Sequence, residues 1–98
     1  MGKIDLTRVK EYLSTQPVLR AWLFGSYARG EETERSDVDI LIQYDDNAKI
    51  GLLRHADLII SLEKILNRSV DLVTEGSLLS WVRPYVDADK ILIYERRD

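Results

Sequence analysis

Asp37 and Asp39 lie at the start of an apolar segment and are separated by one residue, Val38. Ser36 directly precedes Asp37. The alternation of apolar and polar residues from Val38 onward predicts a β-strand, on which side chains two residues apart share a face, about 7 Å from each other. Two carboxylates held that close repel each other unless a cation lies between them. Carboxylate oxygens are ligands that suit Mg²⁺. The spacing indicates either a magnesium site or the solvated end of a strand that carries two acidic residues.

Gly25 and Ser26 follow a short apolar and aromatic segment, Val18 to Phe24, which predicts the preceding strand. A glycine at the end of a strand allows a tight turn and a close approach of the backbone to a ligand. A short helical turn after it would present free N–H groups to an anion, and Ser26 would add a hydroxyl donor. Arg29, one turn further on, could reach the same anion. Gly-Ser alone is a common turn, but beside two carboxylates it predicts a phosphate-binding loop facing a metal site.

Asp71 interrupts another short apolar segment, Val70 to Val73, which also predicts a strand. A lone carboxylate buried in such a strand is unfavourable. It is tolerated where it faces Asp37 and Asp39 across a metal ion, or where the strand lies at an edge with Asp71 in water. We favour the first interpretation because the other parts of a metal site are present.

The elements that must position these residues follow from periodicity and from helix and turn signals. Asp5 is a suitable N-cap for a first helix, which Pro17 would end. Helical periodicity runs from about Ala48 to Asn67. Gly76 is predicted to open a last helix, which Pro84 would kink or at which it would mark a change of path. With the strands already described and a closing strand at 91–94, the chain is predicted to be an α/β (α+β) fold. It would have a small mixed sheet of about four strands flanked by helices.

Composition limits the class of protein. The 98 residues are 45% hydrophobic and 32% charged, which predicts one domain spanning residues 1–98. The absence of cysteine excludes a disulfide framework and a Cys-ligated zinc site, and a single histidine argues against a His-rich metal site. A net charge of −3 without a basic stripe makes a long nucleic acid a poor partner. No apolar run is long enough for a bilayer and no signal peptide is visible, so we expect a cytoplasmic protein without a membrane partner.

These residues together resemble a known signature. Gly25-Ser26, ten intervening residues and then Asp37-Val38-Asp39 resemble the Gly-Ser-x10-Asp-x-Asp pattern of the polymerase-beta-like nucleotidyltransferase superfamily. The block Gly-Ser-Tyr-Ala-Arg-Gly at 25–30 is similar to the GSxARG form of the minimal nucleotidyltransferases, the MNT proteins. The segment around Asp71 resembles the strand that carries the third carboxylate of that family.

The resemblance implies a reaction in which a nucleoside monophosphate, AMP from ATP, is transferred to a hydroxyl and pyrophosphate is released. Asp37 and Asp39 would ligate two Mg²⁺ ions, and Asp71 would complete the ion on the acceptor side and help to deprotonate the hydroxyl. Gly25 and Ser26 would hold the β- and γ-phosphates, and Arg29 would neutralise phosphate charge. The implied nucleotide-binding residues are Gly25, Ser26, Arg29 and Ser36.

The resemblance also implies a biological setting. Many MNT proteins are antitoxins paired with a HEPN-domain toxin, which they neutralise by adding AMP to a tyrosine or by binding. One alternative is therefore a non-catalytic antitoxin, and another is a small-molecule nucleotidyltransferase of the antibiotic-modifying type. Because so small a domain offers few acceptor contacts, we expect the acceptor to be a folded protein or the site to be completed by another subunit.

Several large side chains outside the site leave open how a partner would dock. Leu53 and Ile60 fall opposite the main apolar face of their helix, where either a partner or a neighbouring helix of the chain could cover them. Trp81 and Tyr85, one turn apart, are residues that suit an interface, but in so small a protein we favour a place in the core for them. His55 is predicted to be a packed histidine without a nearby partner rather than a base.

Overall fold

The computed structural model describes residues 4–97. Its helices are α1 (Leu6–Leu13), α2 (Gly25–Arg29), α3 (Leu52–Leu66) and α4 (Arg83–Asp89), with a 3₁₀ turn at Glu75–Ser77. Its strands are β1 (Val18–Phe24), β2 (Val38–Tyr44), β3 (Val70–Thr74) and β4 (Ile91–Glu95). This alternation of helices and strands confirms the predicted α/β class. Within residues 4–97, no helix has the length and hydropathy that a membrane span requires.

The strands form one mixed sheet in the order β3-β2-β1-β4. β1 pairs antiparallel with both β2 and β4, whereas β2 and β3 are parallel. A parallel pair needs a crossover connection, and α3 supplies it. Among residues 4–97, β3 is therefore an edge strand that pairs with β2 alone.

The core lies on one face of this sheet. Val38, Ile40 and Ile42 of β2 are buried there against α1 and α3, which contribute Val9 and Leu58 among other residues. Since successive side chains of a strand point to opposite faces, burial of the even-numbered residues places Asp39 on the other face. The packing of the core thus fixes which side of the sheet carries the acidic residues.

Helix α3 begins later than the periodicity predicts. Asp45 forms a turn, in which its carboxylate accepts from the N–H of Asn47 at 2.9 Å and its carbonyl from Ala48 at 3.0 Å. These bonds compete with helix formation, and the helix starts only after Gly51. Leu52 is exposed rather than on the buried face.

The last predicted helix is also shorter than expected, because α4 begins at Arg83 and Pro84 lies in its first turn instead of kinking a longer helix. Proline suits the first turn of a helix, where its missing N–H leaves no bond unmade. The prediction that Trp81 and Tyr85 lie in the core is wrong, since their exposures are 70% and 72%. Val86 is the buried residue of this helix.

Leu53 and Ile60 are exposed on the outer side of α3, at 85% and 49%. No other element within residues 4–97 covers them, so the interpretation that a neighbouring helix of the chain packs there is wrong. The exposed apolar surface remains available to a partner.

His55 connects α3 to two strands. Its Nε2 lies 3.1 Å from the carbonyl of Leu72, and its Nδ1 lies 2.9 Å from the hydroxyl of Tyr44. A carbonyl only accepts, so Nε2–H donates to it and Nδ1 accepts from Tyr44. Burial is the main cause that raises the pKa of Tyr44 to about 12. The histidine is packed, as predicted, but the expectation that it has no partner is wrong.

Tyr44→Phe should lower the free energy of unfolding by about 1 kcal/mol, because it leaves Nδ1 of His55 without its donor in a half-buried place. Urea unfolding followed by circular dichroism measures the change. Tyr94→Phe is the matched control, since the Tyr94 hydroxyl has no hydrogen-bond partner among residues 4–97. Equal stability of the Tyr44 variant and the wild type would contradict the assignment of this bond.

Candidate active site

Asp39 lies on β2, between two other strands of the sheet. Its register partner on β1 is Phe24, the residue before Gly25, and its register partner on the parallel strand β3 is Asp71. Register partners on neighbouring strands present their side chains to the same face of the sheet. The sheet therefore brings the glycine turn and the Asp71 carboxylate to opposite sides of Asp39.

Gly25 has a left-handed backbone conformation, with φ at +72°. A Cβ atom added at this position would collide with the carboxylate of Asp39, whose Cγ would be 3.0 Å away. Glycine is thus needed twice, once for the turn and once for the close approach of the backbone to Asp39.

Ser26 is the second residue of α2, and its hydroxyl has no hydrogen-bond partner among the residues described, 4–97. The helix ends after one turn at Gly30, which is also left-handed, and the carbonyl of Ser26 accepts from the N–H of Glu31 at 2.9 Å. The backbone of the loop is closed by its own bonds, whereas the hydroxyl is left to bind a ligand.

The charge of Asp39 depends on its neighbours. Its pKa is raised from 3.8 to about 6, chiefly by burial and then by the charges of Asp71 and Asp37, while the charge of Arg29 opposes them. The three carboxylates that the spacing predicts as a group therefore lie near enough to act on one another. A cation placed among them would favour the ionised form of Asp39.

The same three residues do not form a ready-made metal centre. Among residues 4–97, no three Asp, Glu or His side chains are arranged to hold a metal ion. Asp37 and Asp71 are both exposed, with Asp71 on an edge strand as the alternative interpretation requires. The donor set nevertheless fits a hard cation, since all of its atoms are carboxylate oxygens. Because both outer side chains reach water, they are free to rotate about their side-chain torsions.

Arg29 and Ser36, the other two predicted nucleotide-binding residues, are engaged within the protein. Arg29 Nε donates to Glu31 at 2.9 Å, and its Nη1 donates to Asp89 at 3.1 Å. The Ser36 hydroxyl accepts from the N–H of Thr33 at 2.8 Å and shapes the turn before β2. Their roles toward a nucleotide stay predictions.

Two contacts beside the site escaped the sequence analysis. Tyr27 of α2 is buried, and its hydroxyl accepts from Arg68 Nε at 3.1 Å. Asp89 at the end of α4 reaches Arg29 across 60 positions of the chain. Neither contact has a local sequence signal, because each joins segments that only the fold brings together.

Comparison with known proteins agrees with the geometry. Residues 6–96 match the model of the family described as nucleotidyltransferase domain. A protein of Methanocaldococcus jannaschii assigned as a protein adenylyltransferase is 44% identical over 72 residues, which is 72% of this chain and 72% of that protein.

Solved structures share the fold. One described as a minimal nucleotidyltransferase is 32% identical with a TM-score of 0.72, over 93% of this chain and 98% of its own. Another solved structure is a complex of the tri-AMPylated HEPN toxin of Shewanella oneidensis with the MNT antitoxin. One chain of it matches with a TM-score of 0.69 and 19% identity. That match covers 93% of this chain and 70% of the other, and at this identity it shows the fold alone. The family model, the relative and the near-complete structural match confirm the predicted family, and the chain belongs to the nucleotidyltransferase domain family.

Proposed function

We propose that this chain acts in the cytoplasm, as a single domain over residues 1–98, and transfers AMP from ATP to a hydroxyl of a HEPN-domain toxin. The observation that carries the proposal is the contact of the Gly25 backbone with the Asp39 carboxylate, beside Asp71. A polyphosphate bound to the turn would then adjoin a cation bound to the carboxylates. The relative assigned as a protein adenylyltransferase and the AMPylated toxin beside the MNT chain support the choice of AMP and of a protein acceptor.

Mg²⁺ is the cofactor that this site would hold, through Asp39 together with Asp37 and Asp71. Two ions would be needed to act on both the entering and the leaving oxygen. The cations would polarise the α-phosphate and lower the pKa of the acceptor hydroxyl. Rotation of the two exposed carboxylates toward Asp39 would complete the ligand set.

The remaining residues would orient the reactants. The backbone at Gly25 and the free hydroxyl of Ser26 would bind the β- and γ-phosphates, and Arg29 would balance their charge. The acceptor oxygen attacks the α-phosphorus, a new O–P bond forms, and the bond from the α-phosphorus to the bridging oxygen breaks as pyrophosphate leaves. The hydroxyl proton passes to Asp71, which is exposed and so accessible to a tyrosine of the partner.

Two radioactive labels test this reaction. The protein is incubated with Mg²⁺, the HEPN-domain protein and ATP labelled either at the α- or at the γ-phosphate. Label on the HEPN protein from α-labelled ATP alone, lost when EDTA removes the metal, is the expected result, and mass spectrometry then identifies the tyrosine. Transfer of the γ-label would show a kinase and refute the proposal, as would transfer that survives EDTA.

The alternative of a non-catalytic antitoxin is favoured by one observation, the exposed apolar side chains Leu53 and Ile60 on α3. If they dock the toxin, Leu53→Glu should weaken binding about tenfold or more, since it places a charge in an apolar contact. Calorimetric titration with the toxin measures this, and Thr7→Glu adds the same charge on an exposed position of α1 as the control.

The two modes of neutralisation separate in a toxicity assay. Under the catalytic proposal Asp39→Asn abolishes neutralisation while toxin binding persists. Under the alternative Asp39→Asn still neutralises the toxin, and Leu53→Glu does not.

A further inference from the structure

We propose that Asp89 is a positioning residue, which holds the Arg29 guanidinium beside the nucleotide loop and away from the Asp39 carboxylate. The inference deepens the proposed function and rests on it. It gives a role to the end of α4, which lies far from the Gly-Ser-x10-Asp-x-Asp segment along the chain.

The geometry begins with the short helix α2. Gly25 and Arg29 are four residues apart on it, so their side-chain directions share one side of the helix, the side that meets Asp39. A guanidinium on that side of the helix could also pair with the Asp39 carboxylate. Yet the ion pairs of Arg29 are with Glu31 at 2.9 Å and with Asp89 at 3.1 Å, and none joins it to Asp39 within residues 4–97.

Such a pairing would harm the proposed site twice. The guanidinium would bind a carboxylate oxygen of Asp39 that the metal needs as a ligand. Its positive charge would also be neutralised by Asp39 and would no longer be available to the triphosphate. With Asp89 and Glu31 in place, two of the five N–H groups of Arg29 are engaged, and the other three remain for phosphate oxygens. The Arg29 guanidinium is oriented before the nucleotide binds, so less conformational entropy is lost on binding.

Asp89 is the less exposed of the two partners, although its distance to Arg29 is the longer one. Its side chain is 33% exposed, against 66% for Glu31, so water competes less for its carboxylate. It also stands on a helix held to the rest of the fold by the buried Val86, whereas Glu31 lies in a charged loop. A carboxylate on a packed helix positions its partner better than one on a loop.

Binding of the non-hydrolysable ATP analogue AMP-PNP with Mg²⁺, measured by calorimetry, tests the inference without requiring transfer. Asp89→Asn should weaken binding about 5- to 20-fold, and Asp89→Glu should restore part of the loss. In the Arg29→Ala background, Asp89→Asn should change affinity less than twofold, because Asp89 acts through the arginine. Asp87→Asn is the matched control, since Asp87 of the same helix pairs with Lys90 at 2.9 Å and not with Arg29.

The outcomes separate this inference from the proposed function. The positioning role is overturned if Asp89→Asn weakens binding of the analogue equally with and without Arg29. It is also overturned if the wild type binds the analogue and Asp89→Asn does not weaken that binding. Coupled weakening in a protein that transfers no AMP supports the positioning role and refutes only the transfer. Failure of the wild type to bind the analogue refutes both. Thermal melting of each variant identifies losses of binding that come from unfolding. If unfolding explains the loss in both Asp89→Asn and Asp89→Glu, the result counts against the positioning role.

Discussion

Asp39→Asn is expected to lower the rate of AMP transfer about 10³-fold while making the folded protein more stable at neutral pH. The loss arises because an amide is a poor ligand for a cation whose stabilisation of the transition state amounts to several kcal/mol. The gain arises because the native carboxylate is half-buried and faces the charges of Asp71 and Asp37. Single-turnover transfer of the α-label and urea unfolding measure the two effects.

The stability difference depends on pH in a defined direction. The pKa of Asp39 rises from an ordinary 3.8 to about 6, chiefly through burial, so between these values the folded state binds more protons than the unfolded state. The wild type, in EDTA, should therefore lose stability as the pH rises from about 4 to 6. Since the carboxyl still touches water, we expect Asp39→Asn to gain about 1 kcal/mol at pH 7.5 rather than the full equivalent of the shift. The gain should vanish near pH 4.

Asp57→Asn is the control for both measurements, because Asp57 is exposed on α3 and has no ion pair or hydrogen bond among residues 4–97. It should change neither transfer nor the pH profile. Transfer by Asp39→Asn within threefold of the wild type would remove Asp39 from the catalytic centre. A lower stability of that variant at pH 7.5 would contradict the electrostatic account.

Gly25→Ala is expected to lower AMP transfer about 100-fold or more, because the new methyl group must displace either the turn or the Asp39 carboxylate. Displacement of a reacting or ligating group by about 1 Å is enough for a loss of this size. The variant should also lose about 2 kcal/mol or more of stability, from backbone strain and from the collision. Transfer assays and urea unfolding measure both losses.

Gly30→Ala provides a matched comparison. Gly30 has the same φ of +72°, but a Cβ atom there would meet nothing within 4 Å. The strain alone should reduce stability by about 1 kcal/mol and leave most of the activity. The difference between the two variants isolates the close approach of residue 25 to Asp39. Equal losses of activity would show that strain in the turn, and not contact with the carboxylate, explains the effect.

Much of the fold and of the candidate site follows from local patterns. The bounds of β1 agree with the apolar segment 18–24, and Asp5 caps α1 by accepting from the N–H of Arg8 at 3.2 Å. Such features depend on residues within a few positions of one another, which is why composition and spacing reveal them. The grouping of Gly25, Ser26, Asp37 and Asp39 was visible for the same reason, since one turn and one loop separate them along the chain.

The errors have two origins: a local turn that delays a helix, and burial that depends on distant segments. Helical periodicity is equally strong on a helix that packs and on one that starts late, so the pattern at 48–51 did not show that the Asp45 turn would form instead. Trp81 and Tyr85 have the size of core residues, but other side chains form the core, and these two stay exposed. The hydrophobicity of a side chain determines the free energy gained when it is buried. It does not determine whether the fold offers a buried position for it.

The amino-acid order alone is enough to specify the strands, the glycine turn and the carboxylates, because each depends on interactions between near neighbours. Three arrangements depend on the sheet order and on the path of α4. Asp71 lies beside Asp39, His55 bonds to two strands, and Asp89 pairs with Arg29. These arrangements join residues 11 to 60 positions apart in sequence, and their free energy comes from burying the core as a whole. No local pattern encodes such contacts, since each exists only after the helices have packed on the sheet.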